Sequence, residues 1–128
     1  MTPGFQRTLL VALGGVVGCI ARYWLGGAVQ QLGDHNFPTG TLAVNILGSL
    51  VIGLVMTLSI ERGIVGEDLR ILLTTGFCGG FTTMSTFSYE TLALLRNGER
   101  LLALGNVGGT LVACIGAAWT GSVLARVL

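Results

Sequence analysis

The stretch GGFTTMSTFSYE, residues 79 to 90, places a glycine pair, a glutamate and the hydroxyls of Thr82, Thr83, Ser85, Thr86 and Ser88 inside a strongly apolar chain. A single Ser or Thr on a helix satisfies itself on the carbonyl four residues back. Five within seven positions exceed that need and read as a line of hydrogen-bond donors. On a helix that starts near Thr83, the positions Thr83, Phe87 and Glu90 fall on one stripe and Met84, Ser88 and Thr91 on the next. Phe87 has two uses there: filling a core, as most Phe do, or meeting an anion with its ring edge, the positive lobe of the aromatic quadrupole. Glu90 is a functional carboxylate if it lies at depth, where charge is expensive, and simply solvated if the end of the span lifts it to the interface. Asn45 in GTLAVNILG and Asn106 in LGNVGG stand alone among apolar neighbours. An amide so placed either ties helices together or offers its NH2 to a passing anion.

The elements that must position these groups are membrane spans. Hydrophobic residues make up 52% of the chain and charged residues 10%, with a mean hydropathy of +0.79. A soluble domain of 128 residues has too much surface to carry that composition. Four apolar segments, Thr8 to Leu32, Thr39 to Ile60, Leu69 to Leu95 and Leu101 to Leu124, each reach the ~20 residues a helix needs to cross ~30 Å of hydrocarbon. The expected fold is an all-α integral membrane protein, residues 1–128 forming a single four-span transmembrane domain. Arg7 precedes an apolar run without an A-x-A cleavage pattern, so the first segment reads as a retained span.

Several function classes drop out. A net charge of +1, with seven arginines supplying every basic side chain, offers no basic stripe to nucleic acid. Cys19, Cys78 and Cys114 lie in three different apolar stretches without a CxxC pair, and His35 stands alone in a loop, so neither a zinc site nor a disulfide framework is expected. No His, Asp or Cys cluster faces the hydroxyls, which argues against an enzyme.

Irregular backbone survives in lipid only where protein buries it or water reaches it. Gly79-Gly80 followed by Thr82-Thr83 either interrupts the third span or accommodates a close helix crossing. The pairs Gly14/Gly18, Gly76/Gly80 and Gly105/Gly109 each spell G-x-x-x-G, which serves contacts within a bundle and oligomer interfaces equally. With four spans, Arg7, Arg62, Arg70 and Arg126 share one side against Arg96, Arg100 and, if it snorkels, Arg22. So weak a positive-inside bias suits a chain that inserts both ways and pairs as an antiparallel dimer.

Taken together, GCIARY (18 to 23), GTLAVNILG (40 to 48) and TGFCGGFTTMSTFSYET (75 to 91) resemble the Fluc/CrcB family of small bacterial fluoride channels along essentially the whole length. The resemblance implies a passive fluoride channel of the bacterial plasma (inner) membrane: a dual-topology antiparallel homodimer, its third helix broken near mid-membrane, with two pores and a structural Na+ at the centre. It implies that the carbonyls of Gly79 and Thr82 hold the Na+. It also implies that Asn45 and Phe87 line the fluoride path, that Ser85, Thr86 and Ser88 form its polar track, and that the track leads to Glu90 in a vestibule. Met84 stands where the family usually has a pore phenylalanine, Ala43 where threonine is common, and Asn106 where tyrosine is often found. Donors and ring edges would serve chloride as well as fluoride, so the choice of ion rests on the resemblance. The rival is a proton-coupled exporter of the small multidrug resistance type, with Glu90 as its carboxylate, although such transporters usually carry that glutamate in the first span.

Overall fold

A computed structural model describes all 128 residues, and they are helical apart from short connections. Helix α1 (Pro3–Leu32) starts ahead of its apolar run because Thr2 caps it, accepting from the Phe5 N–H at 3.4 Å, and because Pro3 fits the first helical turn with its preset φ. Helix α2 (Thr39–Ile60) follows a short loop. The third apolar segment is divided: α3 (Glu67–Ile71), with two acids in its first turn, passes into a π-helical stretch, Leu72–Cys78, and then into α4 (Gly79–Phe81). Thr82 (φ −89°, ψ 160°) and Thr83 (φ −152°, ψ 113°) are extended, and α5 (Met84–Arg96) begins beyond them. Gly98, at φ 80°, makes the turn into α6 (Arg100–Val127).

Gly79 and Gly80 are therefore helical, and the two threonines after them carry the extended backbone. Two causes combine: β-branched Thr tolerates extended dihedrals, and the glycines are used for packing. A Cβ on Gly80 would stand 2.5 Å from the Gly15 carbonyl oxygen, and one on Gly76 would stand 3.0 Å from the Gly14 Cα. A Cβ on Gly14 would reach 2.8 Å from the Phe77 nitrogen, and one on Gly18 would strike the Phe77 carbonyl. Two of the G-x-x-x-G motifs thus face each other within one chain and bring α1 against the π-helical stretch and α4. The third, Gly105/Gly109, has nothing within 4 Å. On the other side α2 and α6 touch backbone to backbone, Gly53 at the Ala118 carbonyl and Gly121 at the Leu50 carbonyl, with Thr57 and Ser122 hydroxyls 2.8 Å apart.

Both termini gather at one end. Arg7 pairs with Glu67 at 2.7 Å, Arg126 with Glu61 at 2.9 Å, and Arg62 donates to the Ala125 and Arg126 carbonyls at 3.1 and 2.8 Å. The Arg126 hydrogen bond holds the Glu61 carboxyl below the usual carboxylate range. The loop after α1 lies at the opposite end, beside Glu90 and Leu94 of α5 and Asn97 just beyond it, so the divided third segment returns the chain across the bundle.

Only 20 of the 128 residues are buried, and large side chains such as Leu13, Val17, Val112, Ile115 and Trp119 stand exposed. Water would not tolerate that surface, whereas lipid does. Helices α1, α2 and α6 are each long and apolar enough to cross a membrane. This is a membrane protein.

Gly14→Ala should lower stability by about 2 kcal/mol, because the added methyl meets backbone that cannot yield. Gly27→Ala, at a helical position with nothing within 4 Å, should hold or raise stability through helix propensity. Thermal unfolding of both variants in detergent checks the contrast, and equal shifts would contradict the packing.

Candidate functional site

The extended pair is held by Asn45. This residue lies on α2, is 8% exposed, donates from Nδ2 to the Thr83 carbonyl at 3.2 Å and accepts the Thr83 N–H on Oδ1 at 2.8 Å. Its amide acts on Thr83 as a neighbouring strand would. In a continuous helix the Thr83 N–H would return to the Gly79 carbonyl; spent on Asn45, it leaves that carbonyl free of this bond.

The hydroxyls divide in two. Thr82 donates to Cys78 and Ser88 to Met84, both at 2.9 Å and both four residues back, the self-satisfying pattern. The others gather at the α5 cap: Thr83 Oγ1 accepts the Thr86 N–H at 3.2 Å and lies 3.0 Å from Thr86 Oγ1 and 3.3 Å from Ser85 Oγ. Within the chain, the expected line of donors is a cap cluster with two self-satisfied hydroxyls beside it. The physical reason is that the free N–H groups at the start of α5 compete for the same oxygens.

Three recesses surround this segment. One of about 420 Å³ is lined by Arg22, Thr41, Thr83, Thr86 and Glu90, among others. Another of about 290 Å³ is lined by Asn45, Ser49, Thr82, Thr83, Met84 and Thr110 with apolar neighbours. Thr83 is common to both. The third, about 350 Å³, lies under the loop after α1 and reaches Glu90 from the other side. Arg22 forms no ion pair, so its charge is available to the recess it lines. Glu90 is half-buried between two recesses: its Oε1 accepts from the Thr41 hydroxyl at 2.8 Å, and its Oε2 is buried without a partner.

Asn106, 2% exposed, links α6 to α5. Its Nδ2 donates to Thr91 Oγ1 at 2.9 Å, Thr91 donates to the Phe87 carbonyl at 2.8 Å, and Thr110 donates to Asn106 Oδ1 at 3.4 Å. Phe87 packs inside the chain, whereas Met84 is 68% exposed and Ser85, Thr86 and Ser88 also face outward. Ser85, Phe87 and Ser88 line none of the three recesses. No group of His, Cys, Asp or Glu could hold a metal.

Thr41 and Thr110 were not legible as contributors. Their one signal is spacing: Thr41 lies four residues before Asn45 and Thr110 four after Asn106, so each shares a helix face with its amide.

Replacing Asn45 by Leu strands both backbone groups of Thr83 and should cost about 3 kcal/mol. Asn45→Asp keeps the acceptor for the N–H but loses the donor, and should fall between. Unfolding of the three proteins in detergent should show that order; a Leu variant as stable as the parent would refute the brace.

The profile of the family described as CrcB-like protein, Camphor Resistance (CrcB), matches residues 9–122. The chain is 46% identical over 123 residues to the fluoride-specific ion channel FluC of Geotalea uraniireducens, covering 96% of this chain and 99% of that one. It is 48% identical over 120 residues to the same-named protein of Geobacter sulfurreducens, covering 94% and 97%. With that of Opitutus terrae it shares 47% over 119 residues, covering 91% and 90%. The matched span covers both the packing glycines and the braced polar segment, and the chain belongs to the CrcB family.

Proposed function

We propose that this chain is a passive fluoride channel that lets F⁻ leave the cytoplasm across a bacterial inner membrane, with four spans per copy and no catalytic residues. The observation that carries the proposal is 46% identity along 96% of the chain to a relative named as a fluoride-specific ion channel. The exporter reading gains nothing from the relatives named above, all of them called channels.

The geometry suits an ion path. Arg22 would draw an anion into the larger recess, where Thr41, Thr86 and Glu90 form the vestibule wall. Thr83, shared by two recesses, would pass it toward Asn45, Met84 and Thr110. Ser85 and Ser88, beside Met84 on the outward face, would join the track once a second copy covers them. Phe87, inside one copy and off all three recesses, would have to turn its ring edge to the anion in the assembled dimer, and Asn106 would hold α5 through Thr91. The second copy, in antiparallel orientation, accounts for the near-balanced arginines and for polar side chains on an otherwise lipid-compatible surface. The carbonyls of Gly79 and Thr82 from both copies would hold a structural Na+, which neutralises dipoles that otherwise face one another.

Reconstituted liposomes loaded with fluoride or chloride test the function. Fluoride should leave rapidly and chloride at the rate of empty liposomes; equal efflux of the two ions would overturn selectivity. Phe87→Ile keeps bulk but removes the quadrupole, and should slow fluoride efflux about tenfold or more while gel-filtration behaviour is unchanged.

Gly79→Val separates the assembly from the fold of one chain. Within the chain a Cβ there meets only the Thr74 carbonyl, at 4.0 Å, so a single copy accommodates it. Loss of transport together with loss of the dimer on gel filtration is expected, with Thr82→Ser retaining both. A fully active Gly79→Val channel would remove Gly79 from the proposed cation site.

A further inference from the structure

Gln30 lies in the last turn of α1 and spends its amide on the loop that follows and on the start of α2. Its Nε2 donates to the Asp34 carbonyl at 3.1 Å and to the Phe37 carbonyl at 3.0 Å. Its Oε1 accepts the Gly40 N–H at 3.0 Å and lies 3.5 Å from the Thr39 hydroxyl. Both amide hydrogens and both oxygen lone pairs are thereby used.

These bonds bear on α2. Pro38 occupies its N-cap and supplies no side-chain cap, so the first-turn N–H of Gly40 depends on Gln30 for its partner. The next residue is Thr41, whose hydroxyl holds Glu90 at 2.8 Å across the bundle. Gln30 and Glu90 are also the only residues that line both the 420 Å³ recess and the 350 Å³ recess. One side chain from α1 and one from α5 form the wall between them.

We infer that Gln30 is a positioning residue of the fluoride path: it sets the first turn of α2 so that the Thr41 hydroxyl meets Glu90 where the two recesses adjoin. The inference rests on the channel reading for its effect on transport and on geometry alone for its effect on Glu90. A residue that merely glues the loop would affect stability independently of Thr41; a positioning residue acts through it.

The test is a double-mutant cycle on full-length protein in liposomes, using Gln30→Met, Thr41→Val and the pair, with the Glu90 carboxyl band followed by infrared spectroscopy and assigned with Glu90→Gln. Each single substitution should slow fluoride efflux about tenfold, and the pair should be no slower than the slower single, the non-additivity expected of residues acting through one contact. Gln30→Met should also shift the Glu90 band as Thr41→Val does. An additive pair, a Gln30→Met channel at the parental rate, or an unmoved Glu90 band would overturn the inference. A parent silent toward fluoride with the band still shifted would sink the channel reading and leave the positioning standing. If Gln30→Met is not monodisperse, Gln30→Leu, which likewise removes the Gly40 acceptor without adding charge, takes its place. Failure of both to fold would assign Gln30 to folding and overturn the inference.

Discussion

The pairing of the Asn45 amide with both backbone groups of Thr83 is the contact on which the polar segment depends. In a membrane no water replaces a lost backbone bond, and each unsatisfied group costs several kcal/mol. Helices avoid that cost by bonding internally; two extended residues between α4 and α5 cannot. Asn45 meets the requirement from α2 with one donor and one acceptor, 3.2 and 2.8 Å from Thr83. The cap cluster at the start of α5, the recesses either side of Thr83 and the freed Gly79 carbonyl all follow from this local geometry.

Close backbone approach makes the pairing reachable. Gly14 and Gly18 of α1 lie against Phe77, and Gly80 against Gly15, with no room for a methyl between them. α2 and α6 meet in the same manner through Gly53 and Gly121. Lipid provides no hydrophobic force to press helices together, so packing and hydrogen bonds must do it. Asn106 adds such a bond between α5 and α6, through Thr91, at the level of Phe87. The two amides share one role within the chain: each holds α5, or the link into it, against another helix.

Not every side chain of the polar segment points into the chain. Met84, Ser85, Thr86 and Ser88 face outward, as does the open glycine face of α6 at Gly105 and Gly109. These positions together with the Arg22 recess are where the proposed channel would meet a second copy and its ion. The inner contacts of Asn45, Glu90 and Asn106 position that surface.

Membrane residence, the four apolar segments and family membership were legible from the sequence, because they depend on composition, on the length of apolar runs and on motifs that are local in the chain. The stretch from Gly79 to Thr83 was legible only as either an interruption or a close helix crossing; the structure keeps Gly79 and Gly80 helical and puts the extended backbone at Thr82 and Thr83. Which glycines met within the chain was not legible: Gly14/Gly18 and Gly76/Gly80 found each other while Gly105/Gly109 found nothing within 4 Å, although all three motifs read alike. The fates of the polar side chains were equally hidden. Asn45 bonds 38 residues away, Thr41 reaches Glu90 across 49, and Gln30 closes its loop onto α2. A hydrogen bond needs a distance and an angle, and for residues so far apart along the chain only the packing of the helices sets either one.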